Sequence, residues 1–161
     1  MHPERRENKI GVMSLDAFAS AANPAIDDAR LLMRGAARLL YDHGYNAIPE
    51  FSLASSRRAD LFALGPKGEI TIIEIKSGIA DFRADTKWHE YREYCDRLYF
   101  AVSARFPREI LPEDAGLIVA DGFGAAILRE APHHPLAGAR RKAVTLRFAR
   151  CAAERLMRLD V

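Results

Sequence analysis

Between Asp27 and His43, apolar residues recur at helical spacing, with Leu31, Leu32, Leu39 and Leu40 on one stripe. The spacing predicts a helix, opened by the acids Asp27 and Asp28 and stopped at Gly44. The dozen residues at the chain start show no such pattern and read as weakly held. After Gly44 the apolar runs shorten to strand length. Residues 45–53 read as a first strand, and Pro49 within it implies a sheet edge or a bulge. Residues 58–64 (RADLFAL) and 70–75 (ITIIEI) flank the turn Gly65-Pro66-Lys67-Gly68, so they read as an antiparallel hairpin. Asp85 or Thr86 suits the cap of a helix over 87–96. In that helix Trp88, Tyr91 and Cys95 share a stripe, and Tyr94 is turned outward. Residues 98–102 and 115–120 read as buried strands, and 125–128 as another beyond Gly122-Phe123-Gly124. A final helix is predicted over 140–159 from Val144, Phe148, Ala152, Leu156 and Leu159, although the alternation over 144–148 also fits a strand.

The hairpin carries the chemistry. Its charged residues form a D-x13-E-x-K pattern: Asp60 on the first strand, Glu74 and Lys76 at the end of the second. Alternation puts Ile70, Ile72, Glu74 and Lys76 on one face. Opposed residues of an antiparallel pair also share a face. A register that pairs Phe62 with Ile72 therefore sets Asp60 opposite Glu74, with Lys76 beyond. A slip of one residue would send Asp60 to the other side of the sheet. Two carboxylates held this close repel, and a hard divalent cation such as Mg²⁺ or Mn²⁺ would relieve the repulsion. Such an ion, with Lys76 beside it, suits attack by water on a phosphodiester. The competing interpretation is a solvated hairpin face with no chemistry, since triplets of this kind arise freely.

The segment that follows adds specificity: Ser77-Gly78, Asp81-Phe82, Asp85, Lys87-Trp88, Tyr91 and Cys95-Asp96-Arg97-Leu98-Tyr99-Phe100-Ala101-Val102. Together with the hairpin motif it resembles the PD-(D/E)XK nuclease superfamily and, within it, the MmcB-like DNA-repair endonucleases of bacteria. The proline expected before the motif aspartate is absent, and Arg58-Ala59 stands there instead. The resemblance implies an α/β (α+β) fold with a restriction-endonuclease-like core. That core is a central mixed β-sheet flanked by helices in the order α-β-β-β-α-β, spanning about residues 25–121. Residues 122–161 would be a C-terminal extension of further strands and a basic helix, and 1–161 a single domain. The resemblance further implies Asp60 and Glu74 as metal ligands and Lys76 as the group that orients or activates water. Glu50, from the strand before the hairpin, is the candidate third carboxylate, set against an ordinary exposed glutamate.

Composition bounds the rest. The 161 residues are 49% hydrophobic and 29% charged, which suits one globular domain with a substantial core. There is no apolar run of membrane-spanning length and no secretory h-region at the start, so a cytoplasmic protein is expected. Cys95 and Cys151 lie far apart without C-x-x-C spacing, which points to reduced thiols rather than a zinc site. Pro132 and Pro135 flank His133-His134 in what reads as a loop without a metal role. The formal charge is only +2, yet residues 129–158 hold eight Lys or Arg against Glu130 and Glu154. Basic charge gathered this way suits phosphate contacts, with a solvated helix face as the alternative. The candidate nucleic-acid contacts are Ser77, Lys87, Arg57, Arg58, Arg140, Arg141 and Lys142. The expected partner is DNA, structure-specific or damaged, with RNA cleavage or a non-catalytic DNA-binding scaffold as alternatives. Related folds commonly dimerise, so a homodimer also belongs among the expectations.

Overall fold

The computed structural model describes residues 29–159. Helix α1 (Ala29–Asp42) is followed by strands β1 (Asn46–Ser52), β2 (Arg58–Leu64) and β3 (Ile70–Ile75). A short helix α2 (Ile79–Ala84) and a 3₁₀ segment (Trp88–Tyr94) lead to β4 (Arg97–Val102). A 3₁₀ turn (Arg108–Ile110), β5 (Gly116–Ala120), β6 (Ala125–Arg129) and helix α3 (Gly138–Leu159) complete the described residues. The expected helix start at Asp27 and Asp28 and the first dozen residues lie outside the described residues.

The six strands form one sheet in sequential order from β1 to β6. The β1–β2, β2–β3 and β5–β6 pairs are antiparallel, whereas β3–β4 and β4–β5 are parallel. This is the expected mixed sheet with flanking helices, and Pro49 does lie on an edge strand. Each face has its own core. On one face Ile73, Ile75, Tyr99, Ala101 and Ile118 pack against Leu32, Ala36 and Leu40 of α1. On the other, Phe62, Ile70, Ile72 and Leu98 meet Phe51, Tyr91, Tyr94 and α3 through Val144 and Phe148. A third cluster extends that second face across Phe100, Val102, Leu117 and Val119.

Helix α1 approaches the sheet closely enough to require glycine at position 35. A Cβ there would sit 2.2 Å from the carbonyl oxygen of Asp121 and 2.4 Å from that of Gly124. Helix α3 reaches back to the sheet edge instead: Arg147 donates to the carbonyl of Ser52, and Arg155 to those of Pro49 and Glu50. Its base is fixed by Asp96, which accepts two hydrogen bonds from the Arg141 guanidinium and one each from the N–H groups of Ile70 and Leu136.

Two local expectations are corrected. The helix over 87–96 is a 3₁₀ segment with three residues per turn, so Trp88, Tyr91 and Tyr94 share a face. Tyr94 is consequently buried rather than turned outward, and Arg140 stacks over its ring at 4.7 Å. The final helix forms as predicted, and residues 144–148 are helical within it. The Arg141 guanidinium donates to both Asp96 oxygens and to the carbonyl of Gly68. Among the described residues no helix is long and apolar enough to cross a membrane.

Candidate functional site

The β2–β3 register places the motif. Phe62 pairs with Ile72 and Leu61 with Ile73, and the ladder stops there. One step further, side chains replace backbone partners. The N–H of Asp60 donates to Glu74 Oε1 at 3.2 Å, and the N–H of Ile75 donates to Asp60 Oδ2 at 2.8 Å. The two carboxylates thus occupy the opening where the strands part. On its other flank, β2 loses its regular partner at the same point, since the β1–β2 pairing passes from Pro49↔Leu61 to Phe51↔Ala59 and omits Glu50 and Asp60. Alternation breaks there on both strands: Ile48 and Phe51, three residues apart, join one cluster, as do Ala59 and Phe62. Glu50 has a left-handed φ of 50°, a conformation that non-glycine residues seldom adopt. Strand parity alone would align Glu50 with Asp60. The break leaves its side chain exposed, 3.6 Å from Arg58.

Glu74 continues the face of Ile72 and is registered beside Phe100 of β4, so it lies between the two apolar clusters of that face. It is buried, as is Lys76, whereas Asp60 is half-buried. Burial, reinforced by the charge of Asp60, pushes the Glu74 carboxyl up to about 8. Burial also raises Asp60, against the opposing pull of the Ile75 N–H and Lys76. Both shifts run toward the protonated form, as expected of two like charges sharing a poorly hydrated site.

The Lys76 ammonium is already partnered. It donates to Asp85 Oδ2 at 2.7 Å and lies 3.9 Å from Glu74 Oε2. The other Asp85 oxygen accepts the N–H of Lys87, so this aspartate orders the turn before the 3₁₀ segment. Asp81 accepts from the backbone and hydroxyl of Ser77, which places Ser77 at the mouth of α2. Tyr91 donates its hydroxyl to the carbonyl of Arg58, two residues before Asp60, and so braces β2 where it leaves the ladder. The Lys76–Asp85 pair and the Tyr91 brace were not evident from the sequence. Each depends on the chain returning after α2, and a loop leaves no periodic signal.

The basic candidates separate. Arg57 is paired with Glu90 at 2.9 Å, and Arg58 with Glu50. Lys87 and Lys142 are exposed, and Arg140 lies over Tyr94.

The donor set can be compared with a hard cation. Asp60 and Glu74 offer only oxygen, and their raised proton affinity marks a negative charge poorly offset by the protein. Among the described residues no group of three or more His, Cys, Asp or Glu is arranged to hold a metal. A pair of carboxylates with water or phosphate in the remaining positions is the usual provision for Mg²⁺, which dehydrates reluctantly. The residues fit that ion.

Comparisons with known proteins agree with this architecture. A search of curated proteins finds no match. A solved structure, the SPO1766 protein of unknown function from Silicibacter pomeroyi, matches with a TM-score of 0.80 and 47% sequence identity. The match covers 87% of this chain and 93% of that one. The family model described as DNA repair protein MmcB-like matches residues 18–161. The chain belongs to the MmcB-like DNA repair protein family.

Proposed function

We propose that this protein is a divalent-metal-dependent phosphodiesterase that cuts DNA in the course of repair. The observation that carries the reading is the Asp60–Glu74 pair, the first half-buried and the second buried, at the opening of the β2–β3 hairpin, with the Lys76 ammonium beside it. Such a grouping is costly to bury without a cation. Asp60 and Glu74 would hold Mg²⁺ or Mn²⁺. When bound, such an ion supplies a water of lowered pKa and offsets the charge gathering on a phosphate. The N–H groups of Asp60 and Ile75 keep both carboxylates oriented toward the opening. The ammonium of Lys76 carries donors beyond the one committed to Asp85, and these can meet a phosphate oxygen. Exposed Lys87 and Lys142, with Arg58 beside the site, are the basic residues suited to flanking phosphates. DNA as substrate is supported by the family's repair designation. The arrangement is also compatible with the PD-(D/E)XK plan.

The test is cleavage of labelled branched, nicked, single-stranded and duplex DNA, and of RNA, with Mg²⁺ or Mn²⁺ and with EDTA. Metal-dependent cutting of DNA that disappears in Asp60→Ala is the expected result. Cutting of RNA alone would reassign the substrate. DNA binding without cutting under any divalent ion would make the protein a scaffold and overturn the enzyme reading.

A further inference from the structure

Lys76 is pinned at both ends. Its backbone N–H donates to the carbonyl of Ala101 on β4 at 3.0 Å, and its ammonium donates to Asp85 at 2.7 Å. Lys76 is only 4% exposed, so its charge requires a carboxylate partner inside the protein. Two stand within ion-pair range, Asp85 and Glu74, and the ammonium sits on the first while the second is 3.9 Å away. Asp85 is itself held by the N–H of Lys87 at 3.2 Å. The helix that delivers it, α2, buries no residue, and its Phe82 meets Phe100 edge-on at 5.6 Å.

We infer that Asp85 is a positioning residue that holds the Lys76 ammonium away from Glu74, leaving the Glu74 carboxylate open to a divalent cation. This rests on the metal reading above. Without Asp85, a shift of roughly 1 Å would bring the ammonium into direct charge-assisted contact with Glu74. That contact would occupy a ligand oxygen and place a positive charge against the incoming ion, in surroundings that screen charge poorly. Asp85 therefore acts through Lys76, and its influence on metal binding should vanish when the lysine charge is absent. An aspartate that served as a further ligand, or merely as nearby negative charge, would act the same with or without Lys76.

A double-mutant cycle separates these roles. Mn²⁺ binding is measured by isothermal titration for the wild-type chain, Asp85→Asn, Lys76→Met and the double variant, each checked by circular dichroism. Asp85→Asn is expected to weaken Mn²⁺ binding by about 10-fold or more, the usual cost of losing a partner that supports a ligand. Lys76→Met is expected to bind at least as tightly as wild type, and adding Asp85→Asn to it should change nothing. Equal weakening in both backgrounds, or no weakening in either, overturns the proposal. Should Asp85→Asn alone fail to fold, weaker Mn²⁺ binding by the double variant than by Lys76→Met still overturns the proposal, because neither of these leaves a buried ammonium unpaired. A wild-type chain that binds no Mn²⁺ would instead overturn the metal reading itself, and this inference with it.

Discussion

Glu74→Gln should change how stability depends on pH, and the size of the effect follows from the site. The Glu74 carboxyl is raised from 4.5 to about 8, by burial first and by the charge of Asp60 second. Between those values the folded protein keeps a proton that the unfolded chain has released. Folding then takes up a proton, so stability falls as pH rises through that window. A group with these two values contributes roughly 2 kcal/mol more stability at pH 6 than at pH 8. Asp60 is shifted in the same direction, by burial. Glutamine keeps an acceptor for the N–H of Asp60 but does not titrate, so the variant should lose most of this slope. Urea unfolding in EDTA, followed by fluorescence of the single tryptophan, measures the difference. Trp88 suits the purpose because its ring packs against Phe100 at 5.3 Å. A saturating divalent ion should restore the wild type at pH 8 and leave the variant unchanged, by about 2.7 kcal/mol at 100 times Kd. Parallel stability–pH curves for the two proteins in EDTA would refute the electrostatic reasoning about the pair.

Other perturbations probe the frame around the site. Asp96→Ala removes the acceptor for Arg141 and for the N–H groups of Ile70 and Leu136, and should cost about 3–5 kcal/mol in urea unfolding. Gly35→Ala forces a methyl against the carbonyls of Asp121 and Gly124, so α1 must move, lowering stability by about 1–3 kcal/mol with a matching fall in Tm. Tyr91→Phe leaves the carbonyl of Arg58 without its hydroxyl donor and should cost about 1 kcal/mol. The brace stands two residues from Asp60, so this variant should also weaken Mn²⁺ binding in a calorimetric titration.

The hairpin was legible because local rules agreed with one another. Gly65 and Gly68 bracket the turn, the flanking runs are short and rich in strand formers, and the need to place Asp60 with Glu74 selects the register that pairs Phe62 with Ile72. Pro49 announced the edge strand because a residue without an N–H is excluded from a central ladder. What stayed hidden was of two kinds. Helix α2 has no buried residue and hence no apolar stripe, and the 3₁₀ period of three brought Tyr94 inward where a period of 3.6 turned it out. Ion pairs between distant residues were the other kind. Arg141 and Asp96 are 45 positions apart, so nothing local in the sequence announced their pairing.

The arginines that α3 sends to β1 have a consequence for the protein's life among its own copies. An outermost strand presents unpaired carbonyls and amides and invites strands from other chains to add to the sheet. Arg147 and Arg155 occupy the carbonyls of Ser52, Pro49 and Glu50, and the kink at Glu50 removes the flat template that an intruding strand would need. Helix α3 thus guards this edge of the sheet against fibril-like growth, and the same irregular stretch that lies beside Asp60 helps to keep other strands away.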